Sequence, residues 1–439
     1  MENSILVSKN SPFYLSLTKQ FLKDKIEYLC YVLIFILIFF QLFPFAGGIT
    51  YGLVYIPFIV LTIFLTLQLF NYIEFNFDKT LIFIYLMFSA WLLLGIIHLY
   101  FHSQHTSAIF IIRFRLAHLV TFYIVTQFLT SYKRIRIFDW IIITCIVWNI
   151  GIVIWEITTL THLPTSRLFK VSTYIPTGAF FNENTLPAVT MLCVPILIFM
   201  NGKISSIIAS TVFFTFYLLT FVHMTRSVLL ALFPFVIYHF IFKTNRLYKI
   251  IAIMVLISAF FMFKHTQPEL YDYSKSEIQR RFNTLGDEIE SQRTGSGELR
   301  LRMIKMGFEL CVESRGLGVG TGNFRNSITP EKQSRLGGIE VTHSFFSEIL
   351  AMEGLPGILI LSIIVFYPLI PLFCDKKLSI ISYLNINNMN KKQKKILMFI
   401  FLFFISTFVP GSIQVLYLYW SMLGYHYAIL ISSNEETMS

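Results

Sequence analysis

Three side chains that could do chemistry stand out in an otherwise apolar chain. Arg226 lies in a short polar connection between two apolar runs, and Arg300 lies in the long polar segment from Lys264 to Glu348. His343 comes near the end of that segment, just before the next apolar run. Guanidinium groups bind phosphate oxygens through charge-assisted hydrogen bonds, and an imidazole can accept a proton from a hydroxyl group near neutral pH. The three residues therefore indicate chemistry at the edge of a membrane.

Each of these side chains also has a simpler interpretation. Arg226 could be a helix-end arginine that reaches lipid headgroups, and Arg300 with Arg302 could belong to a solvated helix face. A single histidine at the end of a loop is more often structural than catalytic. The surroundings of His343 favour a functional role, because a partly apolar helix follows it and because Glu348 and Glu353 could orient its ring.

Two further arginines, Arg113 and Arg115, fall inside an apolar run near its outer end. Charged side chains are costly within a membrane unless they are paired or line a polar path. Two interpretations remain open at this point. The arginines either pair with buried acids such as Glu156 or line a site for an anionic substrate.

A metal or nucleotide cofactor is not expected. His98, His102 and His105 have a metal-like spacing, but no cysteine or carboxylate lies nearby to complete a zinc site. No two of the six aspartates form an Asp-x-Asp pair, which disfavours a divalent metal that holds a sugar nucleotide. The glycines of Gly316 to Gly322 lack a surrounding β-α-β unit, so they are expected to shape a turn.

The composition places this chemistry in a membrane protein. Of 439 residues, 55% are hydrophobic and 13% are charged, whereas soluble domains contain about 25% charged residues. Continuous apolar runs without period-2 alternation favour helices over a β-barrel. The predicted fold is all-α. Much of the net charge of +11 lies in short loops, so nucleic acid is not an expected partner.

About twelve runs approach the roughly 20 residues that a spanning helix needs. The predicted spans are Tyr28 to Ala46, Ile49 to Phe70, Thr80 to Leu99, Ile109 to Leu129, Ile137 to Ile157, Asn184 to Met200, Ile204 to Val222, Val228 to Phe242, Tyr248 to Phe263, Leu355 to Phe373, Ile396 to Phe408 and Ile413 to Ile431.

The orientation is predicted from lysine and arginine in the short loops. Basic clusters such as Lys133 to Arg136 and Lys391 to Lys395 fall in alternate loops, which are expected to be cytoplasmic. Both termini are then cytoplasmic, the chain lies in the cytoplasmic or inner membrane, and the first span is an anchor and not a removed signal peptide. The segment from Lys264 to Glu348 faces outward.

The predicted organisation has three parts. Residues 1–263 form a bundle of about nine spans, residues 264–348 form one large extracytoplasmic loop, and residues 349–439 form a bundle of about three spans. Within the loop, Ser274 to Glu290 and Glu298 to Val312 are predicted to be short helices that lie over the membrane, the second with apolar periodicity at Leu301, Ile304, Phe308 and Cys311.

Five motifs occur in order along the chain. They are Gly178-Ala179-Phe180-Phe181-Asn182-Glu183-Asn184, Thr225-Arg226-Ser227, Arg300 ahead of Gly318-Val319-Gly320-Thr321-Gly322-Asn323-Phe324, Thr342-His343-Ser344, and Glu353-Gly354-Leu355-Pro356-Gly357. With the predicted spans, this set resembles the O-antigen ligases and the Wzy-type polysaccharide polymerases. The chain departs from the family pattern at Ser344, where asparagine is frequent, and at Ile304, where an aromatic residue is common.

The resemblance implies an enzyme that moves a glycan from a polyprenyl (undecaprenyl) diphosphate carrier to a sugar hydroxyl at the outer face of the membrane, in the synthesis of lipopolysaccharide, capsule or another surface polysaccharide. It implies that Arg226 and Arg300 bind the diphosphate and that His343 accepts the proton of the acceptor hydroxyl, with inversion and without a metal. Asn184, Arg302 and Glu348 are additional candidates. Membrane lipids, a flippase and a chain-length regulator are the other partners that the resemblance suggests.

Rival functions make different predictions. A flippase for lipid-linked oligosaccharides would use the arginines to line a path, but it would not need so large an outer loop, and its basic residues would be spread through the depth of the bundle. A scaffolding protein would leave the buried arginines unexplained. The sequence does not decide between a ligase and a polymerase, which differ only in the acceptor.

Overall fold

A computed structural model provides the structure of the chain. It describes residues 12–42, 55–101, 105–171, 175–180, 185–200, 202–223, 226–239, 296–335, 344–374, 389–407 and 417–432, together with isolated positions between 264 and 276.

The described residues are helical and contain no β-strand, which confirms the all-α prediction for this part of the chain. The helices are α1 (Pro12–Leu42), α2 (Tyr55–Leu69), α3 (Lys79–Phe101), α4 (His105–Phe128), α5 (Tyr132–Thr159), α6 (Thr185–Ile198), α7 (Lys203–His223), α8 (Arg226–Tyr238), α9 (Ser296–Glu313), α10 (Pro330–Arg335), α11 (Phe345–Phe366), α12 (Leu369–Cys374), α13 (Lys391–Ser406) and α14 (Tyr417–Ile431).

Side-chain caps begin several of these helices. Ser131 accepts a hydrogen bond from the amide of Arg134 at the start of α5, and Ser344 accepts one from the amide of Ser347 at the start of α11. Asn390 forms a capping box ahead of α13. Such caps satisfy amides that have no partner within the helix.

Four described segments are long and apolar enough to cross a membrane. They are Lys79–Phe101, Ser107–Phe128, Tyr132–Thr159 and Phe345–Phe366. Shorter apolar helices accompany them at Tyr55–Leu69, Thr185–Ile198, Ile204–Leu219 and Val228–Tyr238. The protein is therefore a multi-pass membrane protein. The total of twelve spans stays a prediction, because Tyr248 to Phe263 and most of the predicted helix from Ser274 to Glu290 lie outside the described residues.

Two helices begin ten or more residues ahead of the spans predicted from hydropathy. α1 begins at Pro12, ahead of the predicted start at Tyr28, and α11 begins at Phe345, ahead of Leu355. Hydropathy detects residues that suit hydrocarbon, whereas helical hydrogen bonding continues into polar sequence. In α11 the predicted start coincides with a kink, since Gly354 has a φ of 64°.

The centre of the bundle is formed by α4, α6 and α14, which pack against one another or against shared neighbours. All described side chains of α6 are buried, as are those of α14 from Tyr417 to Ile429. Aromatic rings fill the space between α3, α4 and α14, where Trp91 and Trp420 have ring centroids 5.5 Å apart. Around this core, α11 packs on α3 and α9 packs on α11.

Candidate active site

The end of the bundle where α3 ends and α4 begins is predicted to face outward and is called the outer end below. α13 contacts both α8 and α11. The ring of Phe404 lies 5.7 Å from that of Phe346 in α11, and the ring of Phe401 lies 5.7 Å from that of Phe235 in α8. The amide of Phe345 also donates to the carbonyl of Thr407, just beyond α13, at 3.0 Å. The start of α11 and the last turn of α8 therefore flank the same helix.

α9 runs beside the first half of α11 in the same direction. Gly307 makes this close contact possible, because a Cβ atom at this position would lie only 2.8 Å from the carbonyl oxygen of Ser347. Met303, Met306 and Leu310 are buried along this side of α9. The predicted helix from Glu298 to Val312 is thus confirmed. The apolar positions predicted for this helix do not all face the protein interior. Cys311 is buried, whereas Leu301 and Phe308 are 68% and 58% exposed.

A turn from Gly316 to Gly322, called the glycine turn, follows α9 and lies on the backbone of α11. The amides of Val319 and Gly320 donate to the carbonyls of Ala351 and Met352 at 2.8 and 2.9 Å. The four glycines at positions 316, 318, 320 and 322 have φ values between 78° and 100°, which L side chains rarely adopt. The prediction that these glycines shape a turn is confirmed.

The far end of the glycine turn contacts the outer ends of α3 and α4. Thr321 shares a 3.2 Å hydrogen bond with Nδ1 of His98. A Cβ atom on Gly322 would lie 2.6 Å from the backbone nitrogen of Ala108, so this position accepts only glycine without a shift. His98 therefore has a structural partner. His102 lies outside the described residues, as does the side chain of His105.

A buried ion pair lies at the same height as the glycine turn's contact with α11. Arg115 of α4 pairs with Glu353 of α11, and their side chains are 2% and 0% exposed. Trp91 of α3 donates from Nε1 to Oε2 of Glu353 at 2.7 Å, and its ring centroid lies 4.7 Å from the guanidinium of Arg115. Removing both charges from water is costly unless they are paired and hydrogen-bonded, as they are here.

This pairing decides between the two interpretations of the span arginines. Arg115 pairs with an acid, but the acid is Glu353 and not Glu156, whereas Arg113 is exposed. The sequence gives no signal for this ion pair, because the two residues are more than 200 positions apart. It also corrects the expectation that Glu353 orients the ring of His343, because both of its oxygens are engaged by Arg115 and Trp91.

Glu156 instead organises the smaller outer loop. Its carboxylate accepts hydrogen bonds from the amides of Thr177 and Gly178 at 2.9 and 2.6 Å and from the hydroxyl of Thr177 at 3.0 Å. Nδ1 of His162 lies 3.0 Å from the same carboxylate. The carboxylate thereby fixes the backbone that leads toward Asn184, a residue outside the described part of the chain.

The predicted site residues fall on these outer-end elements. Arg226 is the first residue of α8 and Arg300 lies in the second turn of α9, although the side chains of both are outside the described residues. His343 is also outside them, but it directly precedes the described cap residue Ser344. Arg302 of α9 and Glu348 of α11 are both half-buried. The structure therefore places the helices of these residues, and their side-chain convergence stays a prediction.

The register of α9 against α11 places the backbone of Arg300 relative to the cap of α11. Gly307 faces Ser347, so Arg300 lies seven residues and Ser344 three residues toward the outer side of this contact. At a rise of about 1.5 Å per helical residue, Arg300 is roughly 10 Å along α9 from the contact. The backbone of Arg300 and the cap of α11 thus lie at the same end of the α9 and α11 pair.

Comparison with known families adds an independent observation. The family model for O-antigen ligase, Wzy_C, matches residues 189–362. Over this segment the chain is similar to the O-antigen ligase family. The matched O-antigen ligase segment runs from α6 into α11 and includes Arg226, Arg300 and His343, whereas Asn184 and the α4 arginines lie outside it. No curated protein matches the chain.

Proposed function

We propose that this O-antigen ligase family protein transfers a glycan from a polyprenyl diphosphate carrier to a sugar hydroxyl at the outer face of the membrane. Members of the family are glycosyl-transferring enzymes of polysaccharide biosynthesis, and a lipid-linked donor and a glycan acceptor are what the family implies. The observation that carries the proposal is the family match, which encloses all three predicted site residues within one segment.

In this proposal the two arginines act on the leaving group. Arg226 and Arg300 hold the diphosphate through charge-assisted hydrogen bonds and stabilise the negative charge that develops as the glycosidic bond breaks. A diphosphate is already a good leaving group, so positioning and electrostatic stabilisation can supply the remaining catalysis without a metal.

His343 acts on the acceptor. Its neutral imidazole takes the proton of the acceptor hydroxyl while that oxygen attacks the anomeric carbon, and the carrier diphosphate departs from the opposite side. A single displacement of this kind inverts the anomeric configuration. Support comes from its position directly before Ser344, the cap of α11, within the segment that the family model matches.

The acceptor separates the two activities of the family. A ligase would use a lipid-linked core or another terminal anchor, and a polymerase would use a second lipid-linked glycan. We propose the common chemistry for both, with a flippase and a chain-length regulator as cellular partners. The alternative of a flippase has no described residue in its favour, because Arg115 is paired with Glu353.

The test is transfer by the purified protein with a polyprenyl-diphosphate glycan and candidate acceptors. We expect His343→Ala to lower kcat by at least about 100-fold, because general base catalysis contributes roughly 10²- to 10⁴-fold, while donor binding is retained. The matched control is His265→Ala, which removes an exposed histidine from the same outer segment. Turnover by His343→Ala at the rate of the control would exclude His343 as the base.

Donor affinity tests the arginines separately. Arg226→Ala and Arg300→Ala are expected to weaken binding of the donor about tenfold or more, since a charge-assisted hydrogen bond contributes roughly 1.5–3 kcal/mol. Arg325→Ala removes an exposed arginine of the same outer segment and serves as the control. Unchanged affinity in the first two variants would assign these arginines to membrane anchoring.

A further inference from the structure

The Arg115–Glu353 ion pair is not explained by the proposed chemistry. It joins α4 to α11. Trp91 connects α3 to the pair, because its indole N–H donates to Glu353 and its ring faces the guanidinium of Arg115. The carbonyl of Trp91 also accepts a hydrogen bond from Nη1 of Arg115 at 3.4 Å. Two apolar side chains could fill this space at a lower cost in desolvation. A charged pair here fixes one register of the three helices, because a shifted helix would leave a charge buried without its partner.

Glycines lie at the positions around the ion pair where a larger residue would collide with it or with its backbone. A Cβ atom on Gly95 would lie 2.8 Å from Nη1 of Arg115, and one on Gly357 would meet the side chain of Glu353. A Cβ atom on Gly318 would lie 2.5 Å from the backbone nitrogen of Glu353. Glycines from three separate elements thus make room for the pair or for the backbone that carries it.

Glu353 also sits where the glycine turn is bound. The neighbouring carbonyls of Ala351 and Met352 accept from the turn, and the amide of Leu355 donates to the carbonyl of Gly316 at 2.8 Å. Gly354 adopts the positive φ that this contact needs. Since the glycine turn begins three residues after α9 ends, these backbone contacts connect α9 to the part of α11 that carries Glu353.

We propose that Arg115 and Glu353 are positioning residues, whose ion pair holds α11 in register with α3 and α4 and so fixes the start of the helix that follows His343 in the chain. This proposal rests on the proposed function for its catalytic consequence only. The pair acts on the proposed site through the position of α11.

The experiment combines a distance measurement with kinetics. Spin labels at Leu93 of α3 and Leu359 of α11, both exposed, report the register in a background with the five native cysteines replaced. The test variant is Arg115→Met with Glu353→Gln, which removes both charges and keeps an acceptor for Trp91. Arg113→Gln is the matched control, because it removes an exposed charge two residues away on α4.

In the double variant we expect a broader or displaced distance distribution, with kcat lowered roughly 10- to 100-fold and KM for the donor changed less. Arg115→Lys keeps the charge, so its distance distribution and its kcat should lie closer to those of the unsubstituted protein than those of the double variant do. The control should match the unsubstituted protein. A folded double variant with an unchanged distance distribution would overturn the positioning role.

The two readouts separate this proposal from the proposed function. If the unsubstituted protein transfers no glycan but the distance distribution still responds to loss of the pair, the function is wrong and the register role stands. If transfer occurs and both the distance and kcat are unaffected in the double variant, only the positioning role is wrong.

Discussion

At the scale of single residues, the buried charges and the glycines of this protein explain each other. Arg115 and Glu353 lie in helices that are otherwise apolar, and each charge is acceptable only because the other is present. The glycines nearby are required for space and for backbone conformation, most clearly at Gly354. Its φ of 64° falls in the left-handed region, and a Cβ atom there would overlap the carbonyl of Gly316.

Alanine substitution tests this difference between glycines. Gly354→Ala is expected to destabilise the protein by more than the roughly 1–2 kcal/mol that a left-handed conformation costs an L residue, because the clash with Gly316 adds to it. Gly151 lies within α5, and a Cβ atom on it would meet nothing within 4 Å, so Gly151→Ala should be neutral or slightly stabilising. The measurement is the thermal midpoint in detergent, and equal midpoints for the two variants would contradict the role of Gly354.

At the scale of elements, α9 has apolar side chains on two sides although it lies in the long polar segment of the sequence. Met303, Met306 and Leu310 face α11, whereas Leu301, Phe308 and Val312 are exposed. Leu355 and Leu359, on the spanning half of α11, are exposed as well. Exposed apolar side chains at helical spacing beside a spanning helix are typical of a surface that contacts lipid.

A quenching experiment locates this exposed side of α9. A bimane fluorophore attached at Phe308→Cys should be quenched by lipids brominated on the acyl chains, because the side chain is expected to lie in the outer leaflet. The control label replaces Glu331, an exposed residue of α10, and should be quenched by water-soluble iodide. Strong iodide quenching at position 308, without quenching by brominated lipid, would place α9 in water.

At the scale of the whole molecule, the helices alternate in direction so that the starts of α4, α8, α11 and α14 share one end. Ring contacts show that α4 and α14 run in the same direction, since Phe114 lies against Tyr417 and Phe122 against Tyr427. The opposite end carries a cavity of about 960 Å³ lined by charges of both signs, among them Lys23, Glu27 and Arg134. The starts of α8 and α11 therefore lie at the end of the bundle away from this cavity.

Reporter fusions test which end faces outward. Alkaline phosphatase inserted after His265 should be active, and green fluorescent protein fused at the C-terminus should fluoresce, because the lysine cluster from Lys391 to Lys395 is expected to stay in the cytoplasm. The reversed pattern would place His343 in the cytoplasm and would remove the basis for transfer at the outer face.

The sequence by itself determined that the protein is an all-α membrane protein, and it predicted four of the spans that the described residues contain. A long apolar run in hydrocarbon forms a helix, because a helix satisfies every backbone hydrogen-bonding group within the run itself. The helix α3 at Lys79–Phe101 therefore follows the predicted span from Thr80 to Leu99 closely. The ordered motifs likewise predicted the resemblance to the O-antigen ligase family, which the match over residues 189–362 confirms. Both properties are local in the chain and can be read without knowledge of packing.

Only the tertiary structure decided which charges pair and where the glycine turn lies. From the sequence, Glu353 is expected to act on His343 and Glu156 is an acid that could pair with Arg115, because partners so distant in sequence leave no periodic signal. The observed pairing depends on α4 and α11 meeting α3 at one height, which is a property of helix packing. A buried charge requires that its partner be within contact distance, and contact distance is fixed by the assembled bundle.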